Sequence, residues 1–273
     1  MRISVLLENK GISEDFNYKH GLSFYIESGE YKILSDLGDN DFFLLNAEKL
    51  DVDISEVEYV VISHGHGDHG GGLDEFIKSN SVGKAYIREN AFNELFSKQG
   101  DDFRSVGLNE TLYGHDQVVL VPDYYEINED LILFSKVDSK EFFPSSNDNL
   151  YMDKNGNRVK DDFSHEQYLI IKENGKNVLV SGCAHKGILN ILRSAEKIIG
   201  EKIHACVSGF HLFNPGSGVS EDEDFIKNLG KELLDTNTKF YTCHCTGDEA
   251  YNILKDVLGE NIEYIKTGMV FDI

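Results

Sequence analysis

Between Ser63 and Leu73 the chain reads Ser-His-Gly-His-Gly-Asp-His-Gly-Gly-Gly-Leu, and residues 64–69 alone carry three imidazoles and a carboxylate. The preceding Val60, Val61 and Ile62 form a continuous β-branched apolar run, the mark of a strand buried on both faces. A cluster that starts at the end of such a strand is held by the fold, unlike a histidine-rich surface loop that meets metal by accident. Neutral imidazole nitrogen and carboxylate oxygen suit Zn²⁺ and similar first-row ions, and glycines between the ligands let the backbone bend until several side chains converge. His64 and His66 lie two apart and face one way in an extended segment, so they can share an ion. Asp68 and His69 follow the turn and can hold a second.

The surrounding pattern is that of a mixed α/β chain. Residues 2–7, 22–27 and 31–35 read as short strands separated by glycine and polar residues, and residues 41–50 read as a helix. In the second half, residues 168–172, 178–181, 205–208, 240–242 and 262–267 read as strands, alternating with helices at 187–199, 224–234 and 248–258. Between the halves, at about 79–165, the periodicity weakens, and residues 144–162 are rich in Asn, Asp, Ser and Gly. This stretch reads as an insertion. Its aromatics, Phe103, Tyr113, Tyr124, Tyr125, Phe142 and Phe143, either line a substrate pocket or close a local core.

The His-x-His-x-Asp-His pattern of His64, His66, Asp68 and His69 resembles the signature of the metallo-β-lactamase superfamily. The resemblance implies an αββα sandwich, two mixed β-sheets with helices on the outer faces, formed by residues 1–273 as one domain with the 79–165 insertion lining the active-site cleft. It implies that Asp36, in Leu34-Ser35-Asp36-Leu37-Gly38, orients the metal loop where the family carries Asp-Thr-Gly; the plain alternative is a turn aspartate before Gly38. It also implies that later loops supply further ligands. His185, between a strand and a helix, and His244, likewise placed, are the expected ones, whereas His211 is a ligand, a core imidazole or a substrate-facing group. If Cys243-His244-Cys245 stays extended, its cysteines point away from the histidine and join the core. Cys183 stands where many members carry a bridging aspartate in a Ser-Gly-Asp turn; it is a thiolate ligand or a buried neutral cysteine, and the departure leaves one ion as well as two conceivable.

The run Ser-Gly-Cys-Ala-His-Lys-Gly-Ile, then Gly-Phe-His-Leu, then Cys-His-Cys-Thr-Gly, is similar to the dihydropteroate-synthase-like branch, associated with methanopterin ribofuranosyl-aminobenzene phosphate synthesis. Substrate does not transfer with a metal motif, because pocket residues decide it. The expected activity is that of a metal-dependent hydrolase with two divalent ions, Zn²⁺ first and Fe or Mn next. A metal-activated water attacks a small ester or phosphoester, pterin-related compounds included, and Asp68 orients the nucleophile. A non-catalytic metal- or ligand-binding protein is the alternative. A di-iron redox protein fits less well, since iron members usually carry a carboxylate where this chain has His66. His20, His115, His165 and His204 have no companion at chelating spacing, and Glu166 is placed near the cluster only by its neighbour His165.

Composition bears on partners. A net charge of −22 repels polyanions, so a small-molecule substrate is expected and nucleic acid is not. No apolar run approaches the ~18 residues of a membrane span, and residues 1–10 lack a signal-peptide pattern. With four cysteines in 273 residues there is no disulfide framework, which suits a reducing cytoplasm. The oligomeric state stays open.

Overall fold

The computed structural model describes residues 1–273. The chain forms two compact units, one of residues 1–122, 150–167 and 266–273, the other of residues 123–149 and 168–265.

The first unit is built on a seven-stranded mixed sheet in the order Val270–Asp272, Arg2–Leu7, Ser23–Ser28, Tyr31–Ser35, Tyr59–Val61, Lys84–Arg88 and Val118–Val121. Neighbours are antiparallel up to Tyr31–Ser35 and parallel beyond it. Antiparallel neighbours can be joined by short turns, while each parallel pair needs a crossover. The helix Phe42–Lys49 serves as the crossover between Tyr31–Ser35 and Tyr59–Val61, and Leu73–Ser79 lies between Tyr59–Val61 and Lys84–Arg88. Phe43, Ala47, Leu73 and Phe76 from these helices pack with Leu34, Val60, Ile62, Ala85 and Ile87 in one buried cluster. A four-stranded antiparallel sheet, Asn157–Lys160, Leu150–Lys154, Leu95–Gln99 and Asp102–Ser105, completes the unit.

The second unit carries a seven-stranded mixed sheet in the order Ile262–Tyr264, Lys239–Thr242, Ala205–Ser208, Lys176–Val180, Tyr168–Glu173, Leu131–Phe134 and Tyr124–Glu126. The first four strands run parallel and the last three pairings are antiparallel. Helices Ile188–Ile199, Glu223–Asp235 and Asp248–Leu258 give their apolar stripes to the core, through Leu189, Leu192, Ile226, Leu229, Leu233, Ala250 and Leu254.

The expected strands and helices appear with small shifts at their ends; the strand expected at 262–267 stops at Tyr264, and Ile62 lies just past its strand. The 79–165 stretch, where periodicity weakens, supplies Lys84–Arg88 and Val118–Val121 to the first large sheet and Tyr124–Glu126 and Leu131–Phe134 to the second. Its aromatics have local partners. Phe103 meets Tyr151 edge to face and lies under the Arg158 guanidinium, Tyr113 meets Phe92, and Phe142 meets Phe225.

Candidate metal centre

In the first unit the chain leaves Tyr59–Val61, bends at His64 and Gly65, and reaches one short helical turn, Gly67–Gly70, through an extended His66. His64 and His66 therefore precede the turn and Asp68 and His69 lie on it; the segment expected to be extended bends at His64 and Gly65, and the His64 and His66 rings stand edge to face at 82°. Backbone bonds hold this loop at several points: Leu22 N–H donates to Asp68 O, Leu37 N–H to His69 O, and Gly67 N–H to Val106 O. Two glycines are required by close approach. A Cβ on Gly65 would stand 2.4 Å from the Ala91 carbonyl oxygen, and one on Gly72 would stand 2.4 Å from that of Leu37.

The three imidazoles converge. The ring centroid of His64 is 4.6 Å from that of His66 and 4.1 Å from that of His69, and all three residues are buried. Behind them lies Asp36, fully buried and with φ +60°, which accepts from Ser63 N–H at 2.7 Å, from Ser63 O–H at 2.7 Å and from His69 Nδ1 at 2.7 Å. Because the Ser63 proton goes to Asp36, the serine oxygen accepts from His64 Nδ1 at 2.9 Å. Both rings thus carry their proton on Nδ1, and Nε2 of each keeps its lone pair as the ligand atom. Burial, then the neighbouring imidazoles His69, His66 and His165, holds His64 well below the usual histidine range. His66 is pushed down to about 3, by burial first and then by His165. Neutral, buried and convergent imidazoles are the form in which histidine binds metal. The Asp68 carboxylate lies 3.6 Å from His69 Nε2 and 3.1 Å from Nε2 of His20.

In the second unit, Lys176–Val180, Ala205–Ser208 and Lys239–Thr242 are adjacent parallel strands, so the loops that follow them leave from one edge of the sheet. Carboxyl ends of parallel strands are where open α/β sheets place their ligands. These loops carry Cys183 and His185, then His211, then Cys243, His244 and Cys245, all buried. Each loop contains a non-glycine residue in the left-handed region: Ala184 at φ +55°, His211 at +48° and His244 at +55°. Such conformations cost about 1–3 kcal/mol and concentrate at functional sites.

His185 is braced like the first-unit histidines. Asn147 donates from Nδ2 to the His185 carbonyl at 2.8 Å and accepts from its Nδ1 at 2.8 Å, which again leaves Nε2 as the ligand atom. The Cys-His-Cys triplet does not stay extended, because His244–Thr246 forms a 3-10 turn. The turn brings Cys245 Sγ to the backbone of His211, whose N–H donates to it at 3.3 Å. Cys183, His211 and Cys245 each offer a ligand-capable atom within 4.8 Å of the other two. Burial works to raise the Cys245 thiol, yet Cys183, His211 and His244 hold it well below the usual range. The His211 ring stands 4.1 Å from that of His185, and both its nitrogens are buried without a hydrogen-bond partner. A plain core imidazole would leave that cost uncompensated. Cys206, in its strand, is an ordinary core cysteine whose thiol burial pushes up.

Sequence reading missed Asn147, His20, and the pair Asp161 and His165. Glu166, singled out beside His165, is buried. Asn147 lies in a polar stretch with no pattern to mark it, and His165, four residues from Asp161, meets His66 only through the fold. The donor set of each unit, imidazole with carboxylate in one and imidazole with thiol in the other, fits divalent first-row metal ions.

Known proteins resemble this chain in sequence and in fold. The family model described as the metallo-beta-lactamase superfamily matches residues 18–140. The crystal structure of Tm1679, a metal-dependent hydrolase of the beta-lactamase superfamily, superposes with a TM-score of 0.83 at 30% identity, covering 100% of this chain and 99% of that one. The 7,8-dihydropterin-6-methyl-4-(β-D-ribofuranosyl)-aminobenzene-5'-phosphate synthase of Methanocaldococcus jannaschii is 28% identical, over 99% of this chain and 96% of its own length. Zn²⁺-bound PqqB of Methylobacterium extorquens, at 10% identity and a TM-score of 0.55 over the whole of both chains, shares the fold. By signature, extent of similarity and fold, the chain belongs to the metallo-β-lactamase superfamily.

Proposed function

We propose that the protein is a metal-dependent hydrolase of small esters or phosphoesters, with His64, His66, Asp68 and His69 as metal ligands and His185 and His244 as further ligands. The observation that carries this reading is the convergence of the buried His64, His66 and His69, with Ser63 and Asp36 behind His64 and His69. Divalent ions, Zn²⁺ first among them, would supply Lewis acidity for the bond under attack and acidify water at neutral pH. The protein's own residues have separate tasks. Asp36 and Ser63 fix the tautomers of His69 and His64, Asn147 fixes that of His185, and Asp68, partly exposed beside His20, accepts and orients a proton-bearing nucleophile. The buried imidazole of His211, beside Cys183 and Cys245, is the candidate for substrate contact, where the polar atoms of an ester or phosphoester could bind.

The name of the Methanocaldococcus jannaschii relative favours a second reading, synthase chemistry on a pterin-bearing phosphate. The test begins with metal content per chain in the wild type and in His64→Ala, His185→Ala, His211→Ala and His244→Ala. Loss of metal in all but His211→Ala, with turnover of an ester and phosphoester panel by metal-loaded wild type, is the expected result. A metal-loaded protein that hydrolyses nothing on the panel would turn the reading towards the synthase or towards a non-catalytic binding protein.

A further inference from the structure

Gly65 lies at the bend between His64 and His66, and its peptide sets how the two rings stand to each other. Its N–H donates to Nδ1 of His165 at 3.1 Å, across a separation of 100 residues. On the other side of the same ring, Nε2 meets Asp161 Oδ2 at 3.0 Å. Asp161 in turn accepts from Phe163 N–H at Oδ1, 2.7 Å away. His165 is wholly buried, its ring centroid 5.5 Å from that of His66 and 6.1 Å from that of His64.

The chemistry of the ring decides its role. A backbone N–H can only donate, so Nδ1 of His165 is the acceptor and the proton sits on Nε2, where the carboxylate takes it. His66, Asp161 and His165 offer atoms within 4.8 Å of one another, an arrangement that could hold an ion. Both nitrogens of His165 are already committed, however, so the ring supports the loop and does not ligate. The segment carrying the pair is itself pinned to the loop: Gln167 N–H donates to Ser63 O at 2.7 Å, and its Nε2 donates to Ile62 O and Tyr86 O at 2.7 and 2.8 Å.

We propose that Asp161 and His165 are a positioning pair that, through a single tautomer of His165, clamps the Gly65 peptide and so sets the geometry of His64 and His66 for metal. This rests on the reading of His64 and His66 as metal ligands. Asn at position 165 places an oxygen where Nδ1 stands and keeps the Gly65 bond, whereas Gln reaches Asp161 and leaves Gly65 without its acceptor. Asp161→Asn offers one oxygen to two donors, Phe163 N–H and His165 Nε2–H. The oxygen stays with the Phe163 N–H, a fixed backbone donor and the shorter bond at 2.7 Å, so the amide NH2 faces Nε2, the ring takes the other tautomer and its new Nδ1–H faces the Gly65 N–H.

The experiment is Zn²⁺ affinity of the full-length chain, by competition with a chromophoric chelator, with the melting temperature of each metal-free protein as folding control. His165→Asn is expected to bind within about threefold of wild type, and His165→Gln to bind about 10- to 100-fold more weakly, the usual effect of losing an outer-shell partner. Asp161→Asn gives the same loss and replaces His165→Gln if that variant does not fold. Wild-type affinity in His165→Gln and Asp161→Asn, or equal losses in His165→Asn and His165→Gln, would overturn the clamp and leave the metal ligands standing. A wild-type protein that takes up no Zn²⁺ would overturn both.

Discussion

The most consequential single residue outside the ligand set is Asp36. It is buried, lies in the left-handed region and accepts three hydrogen bonds, two from Ser63 and one from His69. Asp36→Ala strands those donors where water does not reach, at a cost of roughly 3 kcal/mol, and frees the His69 ring to turn. The expected outcome is a lower melting temperature in the metal-free protein and a Zn²⁺ affinity weaker by about 10- to 100-fold. Unchanged affinity by chelator competition would show that the carboxylate serves folding alone. This residue was legible through the resemblance, which puts an aspartate at the strand end before Gly38; the residues alone left it a turn aspartate. Asn147 and the Asp161–His165 pair were not, since their contacts to residues 185 and 65 exist only once distant segments meet. His211 stayed open for another reason. Its apolar neighbours suggest core, and only the fold brings its buried ring beside Cys183 and Cys245.

At the scale of elements, strands and helices of the second half were readable because periods of two and 3.6 alternate there without interruption. The 79–165 stretch hid four strands of the large sheets. Lys84–Arg88 alternates in burial but over a run of only five, and Leu131–Phe134 is fully buried and shows no alternation, so neither gives a pattern of useful length. The ends of helices carry their own signals. Asp222 caps Glu223–Asp235, its carboxylate accepting from Asp224 N–H at 3.0 Å and Phe225 N–H at 3.2 Å. Asp222→Ala should cost about 1 kcal/mol, read as a melting temperature lower by a few degrees with metal content unchanged. Loss of metal in that variant would mean that this helix end governs the candidate centre, contrary to the local role assigned here.

Across the whole molecule, 48 acidic residues face 26 basic ones, and no pairing of exposed groups can neutralise the excess. Self-repulsion of this size opposes compactness. Raising NaCl from about 0.01 M to about 0.15 M shortens the screening length from about 30 Å to about 8 Å, and the melting temperature is expected to rise. A flat or falling curve in a calorimetric salt series would mean that the acidic groups are already compensated locally. No helix is long and apolar enough to cross a membrane.

The first unit is assembled from three separate stretches, with the strand Val270–Asp272 pairing against Arg2–Leu7 and Thr267 bonded to Glu8 and Lys10. During synthesis its opening 122 residues therefore emerge without the strand that covers their edge. At ~5–20 residues per second the ribosome needs roughly 8–30 s to deliver it. For that interval the nascent chain exposes the unpaired Arg2–Leu7 edge, which makes it a natural client for whatever shields emerging polypeptides.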